Sequence, residues 1–385
     1  MIKKQFKDKN LSLLGMGNMR LPVTAEGTID KEKAFGIIDY AYTHGINYYD
    51  TAFRYHGGES ELFVGEALSK YPRDTWYVAS NFPGHMMKYE DGKLGFQGYL
   101  SDFHCDSPAE VFEEQLQKCR VDHFDFYLLH NMAESSFDFY TNEDLGLVAY
   151  LQKMQAEGKI THLGFSSHGS PETIDAFLTK YPGVFEFGQI QFNYLDAKLQ
   201  DAMKKYEIIY EKHGLAVIVM EPVRGGRLAD LPPSTVAKLK AVNPNATPAS
   251  WAFRYFHNLP GVQVVLSGMS TMDQIVENVE LFSTEQPLTA EEMAVLDEVV
   301  EGMMNDIPCT ACRYCAEECP QNLDIPKLIA LYNKTRNNST PPGFKMKAES
   351  DAEDPTRCIG CGVCSGVCPQ NINVPEIMEE LAKKF

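Results

Sequence analysis

Residues 309–320 read CTACRYCAEECP and residues 358–369 read CIGCGVCSGVCP, two copies of C-x2-C-x2-C-x3-C-P. The likeness runs past the proline, PQNLDIPKLI against PQNINVPEIM, at a constant offset of 49 residues. An iron–sulfur cube needs four convergent thiolates. Three cysteines at i, i+3 and i+6 on a tight loop wrap one cluster, and the fourth, before proline, crosses to the other. The spacing assigns one 4Fe–4S cluster to Cys309, Cys312, Cys315 and Cys368, and a second to Cys358, Cys361, Cys364 and Cys319. Zinc knots seldom take four cysteines at this spacing, and disulfides are out of place in a reducing compartment.

Working outward, the 385-residue chain is long enough for one large and one small domain. Hydrophobic residues make up 44% and charged ones 23%, an ordinary globular balance. The formal charge is −18, nearly all of it before the cysteines, which argues against nucleic acid or an anionic membrane as partner. The start, MIKKQFKDKN, has no apolar segment behind it, and no apolar run is long enough to span a bilayer. A cytoplasmic protein, of an anaerobe given oxygen-sensitive clusters, is expected. Of the two cysteines left over, Cys119 lies at helical spacing with Phe112 and Leu116 and reads as core.

Before the cysteines, β-rich runs alternate with amphipathic stretches. The runs are 11–17, 46–50, 75–80, 124–130, 160–166, 187–193, 215–221 and 262–268. Ser107-Pro108 with Glu110, Ser170-Pro171 and Thr289 with Glu292 read as helix starts, and Gly214 as a stop. Eight such strands point to an α/β fold, a (β/α)8 TIM barrel over 1–302, with no Gly-x-Gly-x-x-Gly to suggest an open dinucleotide-binding sheet. Residues 303–385 should form a small bacterial-ferredoxin-like α+β domain. Its insertion at 337–344 and the acidic stretch after it either touch the barrel or form a solvated loop. Barrel chemistry sits at the C-terminal ends of strands, here Asp50, Asn81, His130, Ser166, Ser167, Gln189, Met220, Glu221, Ser267 and Gly268. Singly each has a bland reading as a cap or core residue; their joint placement carries the weight.

The run NYYDTAFRYHGGESELFVGEAL (47–68) resembles the D-T-A-x-x-Y-x-x-G-x-S-E signature of aldo/keto reductases. YLLHNM (127–132), GFSSHG (164–169), QIQFNYLD (189–196), VMEPVRGGRLA (219–229) and LSGMSTMDQIVENV (266–279) match further segments in order. With its two-cluster tail, the chain is similar to the iron–sulfur branch of that family. The resemblance implies hydride transfer between NAD(P)H and a carbonyl or alcohol, with Tyr55 as the acid, His130 orienting the carbonyl and Asp50 completing the network. The family lowers the tyrosine pKa with a lysine after strand 3; the matching residue is Asn81, which offers no charge to a phenolate. Lys88 or Lys93 would have to fold back to supply one.

The resemblance further places Ser166 and Gln189 on the nicotinamide carboxamide and Met220 on the ring face. Gly225, Gly226 and Leu228 would sit at the pyrophosphate, and the segment with Ser267, Gly268, Gln274 and Asn278 around the adenosine. Gly268 and Gln274 stand where NADPH-using relatives carry basic residues, which favours NADH unless Arg224 or Arg227 takes the 2′-phosphate. A hydride carries two electrons and each cluster takes one, so coupling the two calls for a flavin, for which no motif is present. Besides the reductase, two readings stand: clusters that feed the barrel site, which Asn81 favours, and a barrel serving only as an interaction module. A redox partner protein and a small-molecule substrate are the expected partners. The aromatic, Met-rich loop 82–106 suggests a roof over a bulky apolar ligand, or plain packing.

Overall fold

The computed structural model describes residues 1–97, 105–337 and 345–385. Tyr99 and Phe103 of the aromatic loop, and residues 338–344 of the insertion, lie outside them. The strands are β1 (Lys3–Phe6), β2 (Lys9–Ser12), β3 (Leu14–Gly17), β4 (Tyr48–Asp50), β5 (Tyr77–Phe82), β6 (Met87–Glu90), β7 (Lys93–Phe96), β8 (Phe124–Leu129), β9 (Ile160–Ser167), β10 (Phe187–Gln191), β11 (Ala216–Met220) and β12 (Val262–Ser267). Eight of them close a parallel barrel in the order β3, β4, β5, β8, β9, β10, β11, β12 and back to β3.

The run at 11–17 is two elements rather than one. Ser12 turns the chain: its amide donates to Asn47 Oδ1 at 2.7 Å and its hydroxyl to the Leu14 carbonyl. The first part therefore pairs back on β1 as an antiparallel hairpin. That hairpin stoppers the N-terminal end of the barrel. Phe6, 5% exposed, packs 5.6 Å from Phe126 and joins Leu11, Tyr48, Phe187, Ile218 and Val264 in the barrel interior. By area, burying such a ring is worth about 2 kcal/mol. Gly164 in β9 makes room for this layer, since a Cβ there would lie 2.4 Å from the Phe187 ring.

The helix starts follow local capping chemistry. Ser107, Ser170 and Thr289 each accept an amide three residues on, and Thr289 and Glu292 form a full capping box. Glu110 instead takes the amide of Asp106, one residue before its cap. Gly214 has φ +69° just past the turn ending at Lys212. Cys119 is buried in the barrel's outer core. In the roof loop, β6 and β7 pair as a hairpin whose Met87, Leu94 and Phe96 are buried, with Phe96 stacked on Phe53. These described residues of the loop thus serve packing, while His85 is carried in against His130, at 4.5 Å between rings.

After helix Ala290–Met303 the chain enters the cysteine domain, built on helices Ile325–Asn337 and Val374–Ala382. Leu323, Ile325, Leu328, Ile329, Ile372, Val374, Met378 and Leu381 form its own core. No strand pair occurs among its described residues, so the expected β component is not seen there. Its thiolate loops turn too tightly to pair, with positive φ at Ala311, Arg313, Gly360 and Gly362. No helix among the described residues is long and apolar enough to cross a membrane.

Glu61 is wholly buried behind the barrel. Its Oε1 accepts from Ser80 Oγ and Gln115 Nε2 at 2.5 and 2.7 Å, while Oε2 has no partner. Burial raises its pKa to about 7 against those hydrogen bonds. A carboxyl raised on folding stabilises the fold fully below its unfolded pKa of roughly 4.3, and that stability is lost as pH rises through the folded value. Denaturation of Glu61→Gln, measured between pH 5 and 8, should therefore show a shallower loss of stability with rising pH than the parent chain.

Candidate active site

The C-terminal ends of the barrel strands gather the predicted residues under the cysteine domain. Asp50, ending β4, is 3% exposed. Asn81 of β5 and Gln189 of β10 both hydrogen-bond it, and Asn81 Nδ2 also donates to the Thr51 carbonyl at 2.9 Å. Burial pushes the Asp50 carboxyl up to about 8, with the two amides opposing.

Tyr55 opens a turn whose His56 and Gly57 take left-handed φ of 53° and 66°, which hooks its ring back over the mouth. The ring stands 5.9 Å from His130 and nearly perpendicular to it. Burial first, then Asp50, Tyr314 and Glu221, hold the phenol well above its ordinary value, with Arg20 opposing. His130 follows β8, fixed by its amide to the Phe82 carbonyl and by Tyr140 Oη on its own carbonyl. Burial keeps its imidazole well below the usual histidine range, hence neutral. Lys88 pairs with the exposed Glu90, and Lys93 is exposed in β7. Neither folds back towards Tyr55.

Ser166, fully buried, accepts the Asn131 amide at 2.9 Å. Met220 ends β11, half-buried. Two buried acceptors, Gln189 Oε1 and Asn131 Oδ1, lack partners, as a carboxamide-binding end requires. The opposite end is filled. Gly225, at φ +65°, lies so close to the cysteine loop that a Cβ would come 1.9 Å from the Thr310 carbonyl oxygen. Arg20 lies across Gly268 and donates to the Thr310 and Ala311 carbonyls at 3.3 and 3.1 Å. Leu228 is buried, Gly226 is open, Asn278 donates to Ser267 Oγ, and Gln274 closes the cap of helix Met272–Leu281. The cysteine loop thus lies against Gly225, where the resemblance puts the pyrophosphate, while unpartnered acceptors stand at the ring end.

Both arginines considered for a 2′-phosphate face the other way. Arg224 and Asp196 form an ion pair with neither side chain exposed, and Arg224 also donates to the Pro308 carbonyl at 2.8 Å. Arg227 pairs with Asp306. Gln370, after the last cluster cysteine, hydrogen-bonds Gln191 at 2.7 Å and Gln200. Arg20, Asp196, Thr310 and Gln370 were not singled out from sequence, because nothing in their local pattern marks a contact that spans up to 291 residues.

In the small domain two cavities lie among the cysteines. One is lined by Cys309, Cys312, Cys315 and Cys368. The other is lined by Cys319, Cys358, Cys361 and Cys364. Each holds three cysteines of one motif and the fourth of the other.

Comparison with known proteins agrees with this two-part architecture. Residues 13–301 match the aldo/keto reductase family and residues 308–372 the 4Fe–4S dicluster domain. The chain belongs to the aldo/keto reductase family. An uncharacterized oxidoreductase of Bacillus subtilis is 26% identical over 310 residues, spanning 75% of this aldo/keto reductase and 92% of that protein. The NADH-specific methylglyoxal reductase of Escherichia coli is 27% identical over 226 residues, 57% of this chain and 66% of that one. Among solved structures, the holo form of an aldo-keto reductase from Bacillus halodurans is 27% identical, with a TM-score of 0.61 over 78% of this chain and 96% of that one.

Two outcomes test the site. Asn81→Lys should place an ammonium beside Asp50, lower the Tyr55 pKa and raise the rate of carbonyl reduction about tenfold or more, by roughly one unit of pKa or its equivalent; an unchanged pH–rate profile would remove Asn81 as the cause of a high phenol pKa. Cys368→Ser should cost the cavity with Cys309 its cluster, leaving about half the iron by chemical analysis and one reduced-cluster EPR signal.

Proposed function

We propose that this protein is an oxidoreductase in which a small carbonyl compound, or its alcohol, bound at Tyr55 and His130 exchanges electrons with clusters held in the docked domain. One observation carries the reading. The loop with Cys309 and Cys312 is seated on the barrel mouth, with the Thr310 carbonyl against Gly225 and Tyr314 in the electrostatic field of Tyr55. Cys309, Cys312, Cys315 and Cys368 would hold the cluster next to the mouth, and the other four the distal one. When bound, each cluster supplies one-electron transfer. Carbonyl reduction takes two electrons and two protons; two clusters, if bound, would supply one electron each, and a redox partner protein would return those electrons to them. Tyr55 delivers a proton to the oxygen, His130 orients the carbonyl by hydrogen bonding, and the second proton is taken up at carbon from solvent.

A second reading, hydride transfer from a nicotinamide, is favoured by the unpartnered acceptors of Gln189 and Asn131. The Escherichia coli relative named as NADH-specific supports it too. It requires the cysteine loop to leave Gly225, and it would use Ser166, Gln189 and Met220 at the ring.

Anaerobic titration of the cluster-replete protein separates the two. With NADH, unchanged nucleotide fluorescence and silent EPR are expected. Dithionite-reduced clusters should be reoxidised by a carbonyl substrate, at least about 100-fold more slowly in Tyr55→Phe. Oxidation of NADH by the carbonyl with no change in cluster signal would establish the hydride reading instead. Arg20→Ala, which frees the loop carbonyls, should slow the reoxidation and increase NADH binding.

A further inference from the structure

The two cysteine copies share a backbone but not a neighbour. In the first copy the loop is docked: Thr310 is 1% exposed, and its carbonyl and that of Ala311 accept from Arg20. The offset of 49 residues carries Thr310, Ala311 and Tyr314 onto Ile359, Gly360 and Val363. The conformation repeats as well. Ala311 and Arg313 have φ of 53° and 73°, Gly360 and Gly362 have 69° and 78°, and a short helix follows in each copy, Tyr314–Glu317 and Val363–Gly366. The second loop thus has the form of one that docks, yet nothing covers it. Ile359 is 63% exposed and Val363 43%, the first being the most exposed large hydrophobic among the described residues. Cys361 between them is exposed, whereas the other seven motif cysteines are partly or wholly buried. Among the described residues no hydrogen bond reaches the Ile359 or Gly360 carbonyl.

The surroundings carry one sign of charge. Residues 349–380 hold seven Asp or Glu and a single basic residue, Arg357, which pairs with Asp351. Lys327 and Lys383 from neighbouring helices offset only Glu353 and Glu379. An apolar centre inside a charged rim is the anatomy of a small protein interface, and weak redox encounters are the smallest of these. A second copy of this chain would bring the same acidic rim and a further charge of −18, so it is repelled.

We propose that the loop 359–363 is the docking surface for a separate protein whose one-electron centre lies within a basic face. Ile359 and Val363 form the dry contact over Cys361, and the acidic rim steers the partner in. Arginine or lysine of that partner takes the Ile359 and Gly360 carbonyls as Arg20 takes those of the first copy. Each encounter moves one electron from the partner's reduced centre to the distal cluster, with no bond made and no proton transferred. Two encounters supply the electrons of one carbonyl reduction. The inference deepens the oxidoreductase reading and rests on it for the direction of electron flow, but not for the docking.

Binding is tested first, calorimetrically and without air, on the oxidised, cluster-replete chain. The probes are cytochrome c, a basic one-electron protein, and flavodoxin, an acidic one. Cytochrome c should bind at least about tenfold more tightly, and its affinity should fall about tenfold or more between low salt and about 0.2 M. Ile359→Lys, and Glu376→Lys away from the cysteine loop, should each weaken it severalfold or more with iron content and EPR spectrum unchanged. In stopped flow, oxidation of the reduced clusters by cytochrome c should slow in the same variants. No binding of cytochrome c at low salt, equal binding of flavodoxin, or affinity untouched in both variants overturns the proposal. So does self-association of the chain that Ile359→Lys abolishes, since the face then belongs to a second copy. If cytochrome c binds and exchanges electrons as expected while no carbonyl compound reoxidises the clusters, the docking surface stands and the carbonyl reaction falls.

Discussion

Arg224 and Asp196 are both wholly buried at the rim of the barrel, and the joining of the two domains depends on that pair. Desolvating two charges is costly, and the cost is offset only where geometry is good and the remaining polar atoms are satisfied. Asp196 meets that condition with amides from Gln191 and Asn193; Arg224 meets it in part, donating to the Pro308 carbonyl while its buried Nε has no partner. The pair thus reaches beyond the barrel to the first residues of the cysteine domain. Around it Arg20 and Arg227 donate to backbone carbonyls of the same domain, and that domain's Gln370 donates to Gln191 of the barrel. Basic residues that a nucleotide phosphate would attract are committed to carbonyl oxygens and carboxylates instead.

That commitment changes the electrostatics underneath. Tyr55, sealed by the docked loop, is surrounded by Asp50, Glu221 and another phenol, and Asn81 adds no positive charge. Its proton is held tightly, while Asp50 is itself raised by burial. A tetrad with a lysine would separate charge, tyrosinate from ammonium. This one keeps every member close to neutral, which on the proposed reading would suit single electrons from the docked domain with protons following.

Most of the scaffold was legible in the chain because it rests on local rules. Strand runs, Ser-Pro and Thr-x-x-Glu helix starts and the doubled cysteine spacing each depend on neighbours within a few residues, and eight strands in alternation leave little choice but a barrel. Asp50, Tyr55 and His130 come together because strand ends in such a barrel converge. What could not be read is the contact between the halves. Thr310 is an unremarkable residue between two cysteines until it is seen against Gly225, and Arg20 is one arginine after a strand until it reaches Ala311.

The hairpin at the other end of the barrel bears on turnover as well as on packing. With Phe6 and Leu11 wedged into the interior, the base of the barrel is filled, and among the described residues the working face is the rim beneath the cysteine domain. On the proposed reading, substrate and product would pass the same seam that would hold the electron carriers in place. Mass transfer and charge transfer would then be in series through one joint, and tightening that joint for faster electron flow would slow the exchange of molecules. Throughput would be set by how the Arg20 and Gln370 contacts balance those opposing needs.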